Sequence, residues 1–114
     1  LLDEFLNTLR NTPESIEFTD TMAVIESEYE FSPTSFKNGT AINAADQNQG
    51  SCKLLAFAQI HQLTQAQTLA CFGKYYREDV LNNPDGGDHQ NIRSFMHSGW
   101  EGVEFTGQAL KPVS

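Results

Sequence analysis

The run from Asp46 to Ala58, DQNQGSCKLLAFA, constrains this chain more than any other stretch. It is polar and turn-forming up to Gly50, then apolar and helix-forming without interruption. Ser51 suits the N-cap at such a junction, where a side-chain oxygen can accept from an unpaired amide of the first turn. That reading puts Cys52 at the first helical position with Lys53 beside it. Free N–H groups, the positive end of the helix and an adjacent ammonium would together favour a thiolate over a thiol. The helix is expected to run from Cys52 to Gln62, with Leu54, Phe57, Ala58 and His61 on one face.

The segments around it alternate in character. Leu2, Phe5, Leu6 and Leu9 form one helical stripe ending at Arg10. Thr12-Pro13 reads as a stop and restart, with Thr12 as cap of a second helix that runs to about Tyr29. Phe18, Met22, Ile25 and Tyr29 share its apolar face, and its acids mark a solvated one. Between Thr34 and Asn43, Asn38-Gly39 predicts a hairpin, because both residues tolerate positive φ. Thr64 and Gln67 match a capping box. The helix after it carries Leu69, Phe72, Gly73, Tyr76 and Val80 on one face, and Gly73 there suggests a close backbone approach. After the exposed Asn82–Gly87 loop, Asp88 is expected to cap a helix from His89 to His97, with Ile92, Phe95 and Met96 inward and Gly99 closing it. Val103 to Phe105 reads as a short strand. The fold class is therefore α+β: about five helices with a small antiparallel sheet, the hairpin plus a possible C-terminal strand.

At 114 residues, residues 1–114 are read as a single domain, and eight Phe, three Tyr and one Trp imply a core built largely from rings. Seven Lys and Arg stand against fifteen Asp and Glu, for a net charge of −8. Nucleic-acid binding draws on basic groups that this chain lacks, and anionic membrane surfaces are disfavoured for the same reason. Two cysteines and no CxxC pair suggest neither a disulfide framework nor zinc, so no metal and no cofactor is expected, and a reduced cytoplasmic setting is the default. No apolar run approaches a membrane span. The first residue is Leu1 rather than Met, so a few preceding residues are expected.

Several kinds of chemistry are open. Cys52 with a histidine base would make a cysteine-dependent hydrolase or acyl-transfer enzyme, and His89, beside Asp88, is the best-placed base by its polar flanks. A free cysteine before an apolar helix is equally a small core residue. Tyr75, Tyr76 and Arg77, in a stretch dense with rings and charges, form a candidate recognition patch. His89, Arg93 and His97 recur every fourth residue and could face an anion, though the arginine makes them a poor metal site. Trp100, with the two tyrosines, could wall a small-ligand site.

GSCKLLAFAQIHQL, TLACFGKYYREDVL, DHQNIRSFMHSGWEGVEFTGQAL and FTDTMAVIE, in their order along nearly the whole chain, resemble the HopJ family of type III effector proteins. The resemblance implies a bacterial protein, of a family named for proteins injected into plant cells through a type III secretion apparatus. It implies no enzymatic activity. The leading expectation is a protein-interaction module whose partner is a host or bacterial protein, either cytoplasmic or secreted through a type III system.

Overall fold

The first apolar stripe folds as expected, as helix α1 over Leu2–Asn11 with Phe5 and Leu9 buried. The structure, a computed structural model, describes residues 1–113. After α1 the chain departs from the continuous second helix. Pro13–Ser15 makes one 3-10 turn, Ile16 is extended, and α2 spans Phe18–Glu28. The break lets the Ile16 side chain turn into the core, where it is 2% exposed. The new helix start is held by Asp20, whose carboxylate accepts from the Glu17 amide at 2.9 Å.

Tyr29 does not continue α2; it begins a strand, β1, over Tyr29–Phe31. The hairpin forms, with β2 at Phe36–Asn38 and β3 at Ala41–Asn43. Its turn lies one residue later than Asn38-Gly39. Asn38 pairs with Ala41, so Gly39 and Thr40 form the loop, and only Gly39 has positive φ, +61°. Asn38 stays in the strand because its carboxamide is fully buried against Asn91.

Helix α3 spans Gln49–Ile60, and α4 spans Gln65–Ala70. The Thr64–Gln67 capping box is present, with Gln67 N–H donating to Thr64 Oγ1 at 3.1 Å and Gln67 Oε1 accepting from Thr64 N–H at 3.0 Å. The following helix is not continuous. It stops at Gly73, φ +63°, and resumes as a wide π-type turn over Tyr75–Val80. The close approach expected at Gly73 is real: a Cβ there would lie 2.7 Å from the Phe18 amide nitrogen.

Helix α5 spans Gln90–Ser98, and a 3-10 turn, Gly99–Gly102, leads into β4 at Val103–Phe105. Asp88 is not its cap. His89 occupies that position at φ +51°, and the Asp88 carboxylate instead accepts from Arg93 at 2.6 Å. Ile92 and Phe95 point inward as expected, but Met96 is 37% exposed. β5, at Leu110–Pro112, completes the chain.

The strands form two antiparallel sheets. β4 adds to the hairpin in the order β3-β2-β4, and β1 pairs with β5, Glu30 opposite Lys111. α3 packs against α2, α4 and β5, and its Leu54, Leu55, Phe57 and Ala58 are wholly buried. Phe57 meets Phe5 edge-on at 5.8 Å and Tyr29 at 6.2 Å, so rings do build this part of the core. Each such fully buried large side chain contributes roughly 1.5–3 kcal/mol. α3 is thus the central rod, and what its ends expose decides the surface chemistry.

Candidate functional site

The start of α3 does not make an activated thiol. Asn48, at φ +50°, is the N-cap, so Ser51 and Cys52 are the third and fourth helical residues. The Cys52 amide already donates to the Asn48 carbonyl at 3.0 Å, so the sulfur sits past the free N–H groups. Cys52 is 1% exposed, and its Sγ donates to the Thr34 carbonyl at 3.4 Å. Burial pushes the thiol up, and the nearby Lys53 offsets this only in part. The Lys53 ammonium lies over the Phe31 ring, 4.9 Å from its centroid. Cys71 is buried more deeply, and its thiol is pushed up to about 12.

No histidine is a hydrogen-bond partner of Cys52 among the described residues. His89 Nε2 lies 3.0 Å from Asp79 Oδ2 and 3.9 Å from Asp88 Oδ2, and its ring leans on Tyr75 at 5.2 Å. His61 Nε2 lies 2.8 Å from the Tyr29 hydroxyl. Burial holds the His61 imidazole below its ordinary value, with Glu28 opposing, and burial raises the Tyr29 phenol, with Glu28 adding to it. The lowered value leaves the ring neutral at neutral pH, so the contact joins a neutral imidazole to a neutral phenol.

The expected recognition residues are dispersed. Tyr75 is exposed and packs on Phe18, 5.3 Å between rings, and Tyr76 is half-buried against the core. Arg77 is consumed internally: it donates to the Ile16 carbonyl at 2.6 Å and to Glu17 Oε1 at 3.1 Å, pinning the break before α2. Arg93 holds the loop before α5 through the carbonyls of Asn83 and Asp88 and the Asp88 carboxylate. The Arg93 guanidinium also holds the Asp88 carboxyl below the usual carboxylate range. Arg93 and His97 border a hollow of about 350 Å³ shared with Leu81 and Met96. Trp100 donates to the Leu63 carbonyl at 3.0 Å and meets Phe95 edge-on.

A different surface gathers apolar groups. At the C-terminal half of α3, a cavity of about 510 Å³ is floored by Ala56, Gln59 and Ile60. Tyr29 and Phe105 wall it together with Leu110, Pro112 and the Gly107–Ala109 bend before β5. Among the described residues no charged side chain lines it, and Ile60 is 47% exposed within it. A second hollow of about 330 Å³ shares Gln59 and extends past Gln62 and Leu63 to Trp100. Of the candidate site residues named from sequence, Trp100 alone borders these two hollows among the described residues. Ile60 lies off the Leu54, Phe57, Ala58 and His61 face that the spacing picks out, and the β1–β5 pairing that supplies the wall joins segments too distant to be matched by local pattern.

The comparisons with known proteins fit this fold. The model of the HopJ type III effector protein family matches residues 2–110. The chain belongs to the HopJ type III effector family. A solved structure, described as the crystal structure of unknown function protein VPA0580, is similar at 53% identity. The similarity covers 98% of this chain and 93% of that one, with a TM-score of 0.97. No curated protein matches this HopJ chain. Among its described residues, no helix is long and apolar enough to cross a membrane.

Proposed function

We propose that this HopJ protein is a protein-docking module whose contact surface is the groove at the C-terminal half of α3. The observation that carries the reading is the uncharged, ring-walled cavity with Ile60 half-exposed at its floor. Interface centres have this composition: few charges, aromatic walls and an apolar anchor that water does not hold. A catalytic pocket would need convergent titratable groups, and the thiol that the sequence offers is buried and hydrogen-bonded to the Thr34 carbonyl. The family supports a setting in which the chain is exported through a type III system and meets a host protein.

The test is selection of binders from a display library of random peptides, followed by titration against Ile60→Asp and Ile42→Asp. Ile42 is 69% exposed on β3 and serves as an apolar control outside the groove. Ile60→Asp should weaken the selected peptides by about tenfold or more, which is roughly 1.4 kcal/mol, and Ile42→Asp should not. Equal binding by both variants would remove the groove from the account.

A further inference from the structure

The chemistry of the partner segment can be taken one step further, resting on the docking reading. We infer that the groove accepts an amphipathic helix with an apolar stripe and Lys or Arg at its edges.

The helical form follows from what the walls can bond. The β1–β5 ladder has the Ser32 amide donating to the Ala109 carbonyl and the Val113 amide donating to the Glu28 carbonyl. With Phe31 opposite Leu110 and Tyr29 opposite Pro112, this pattern turns the backbone groups of Leu110 and Pro112 away from β1, toward the open edge. Pro112 has no N–H to offer there. The Leu110 carbonyl is already taken by Gln108 Nε2 at 3.1 Å. An added strand would find only the Leu110 N–H and the Pro112 carbonyl unclaimed along this wall, too few to order it, whereas a helix satisfies its own backbone. The occupant must therefore be held by side chains, and Ile60, Tyr29 and Phe105 are apolar contacts for them.

The basic edges follow from charge. The residues that adjoin the lining along the chain include Glu28 and Glu30 beside Tyr29, Glu101 beside Trp100, and Glu104 beside Phe105. Glu30 sits opposite Lys111 in the β1–β5 register, and Glu104 lies 3.8 Å from Lys37. Glu28 and Glu101 have no ion-pair partner among the described residues. The His61 imidazole, which feels the Glu28 charge, is held below its ordinary value by burial. A groove with no charged lining among the described residues, flanked along the chain by these acids on a chain of net charge −8, complements an apolar stripe bordered by cations.

A display library of helices of about 18 residues, roughly 27 Å long, separates these statements. Its stripe positions vary among Leu, Ile, Phe and Met, its border positions among Lys, Gln and Glu, and half its members carry a central Pro. Selection on the intact chain should enrich Lys at the borders and discard the Pro members. Binding of a selected peptide should fall about tenfold in Ile60→Ser. In the double variant Glu28→Gln/Glu101→Gln, the preference for Lys over Gln borders should shrink severalfold. The matched variant Glu14→Gln/Glu78→Gln, which removes two exposed acids elsewhere, should leave it unchanged. Ile60-dependent peptides with neutral or acidic borders, or with the central Pro retained, would overturn the basic helix and leave the docking surface standing. Lys-rich peptides indifferent to Ile60→Ser would overturn both.

Discussion

Asn38 reaches from the hairpin to α5, donating its carboxamide to the Asn91 carbonyl at 2.8 Å and to Asn91 Oδ1 at 3.1 Å. Asn91 in turn donates to Asn43 Oδ1 at 3.0 Å, and Asn43 also accepts from Asn48, the cap of α3, at 2.7 Å. Four asparagines thus join β2, β3 and the starts of two helices, three of them buried. Asn38 Oδ1 has no hydrogen-bond partner among the described residues. Asn91→Ala should destabilise the fold by about 2–4 kcal/mol, because two buried amides lose partners at once. Asn83→Ala, in the exposed loop, should cost about 0.5 kcal/mol or less. Urea denaturation followed by circular dichroism measures both.

Gly73 provides a second test. Its φ is +63°, and a Cβ would press on the Phe18 amide and the Glu17 backbone. Neither neighbour is the free end of a side chain, so the contact cannot relax cheaply. Gly73→Ala should destabilise by about 2 kcal/mol or more, combining left-handed strain with overpacking. Gly87→Ala, with open space around it, should be nearly neutral. Thermal melts of the two variants decide.

The two thiols should be unreactive in the folded state. Cys52 and Cys71 are 1% and 0% exposed, and both are held above the ordinary thiol range by burial. Alkylation at pH 8 should be slow for both and should accelerate together in urea. Mass spectrometry of the peptides carrying each cysteine follows the two sites separately. Rapid native labelling of Cys52 alone would restore the case for a nucleophile.

The Tyr29–His61 pair sets a direction for acid sensitivity. His61 has its folded value below the ordinary imidazole value of about 6.5, so the unfolded chain binds the extra proton first. Its contribution to stability is complete above about pH 6.5 and is lost as pH falls through the lowered folded value. In His61→Gln this part of the fall in stability between pH 7 and pH 5 should vanish. Urea midpoints at the two pH values, compared between the variant and the parent, give the measurement.

Local pattern was enough for the elements whose cause is local. The stripe of α1, the Thr64–Gln67 cap, the hairpin and the strand at Val103 all follow from spacing or from turn chemistry within a few residues. The need for glycine at position 73 was legible as well, but not its consequence, since the break depends on a backbone some 55 residues earlier in the chain.

What only the tertiary structure decided lies in long-range partners. Asn48 displaced Ser51 as the cap of α3 because its side chain is held by Asn43, and that one change moved Cys52 from a helix end into the core. Arg93 claimed the carboxylate that could have capped α5. The groove exists because β5 returns to β1 across some 80 residues and sets Pro112 and Leu110 beside Ile60. Helical spacing fixes which residues share a face, but burial depends on what packs against that face. Ile60 and Phe57 carry similar apolar side chains three positions apart, and only the fold places one in the core and the other in solvent.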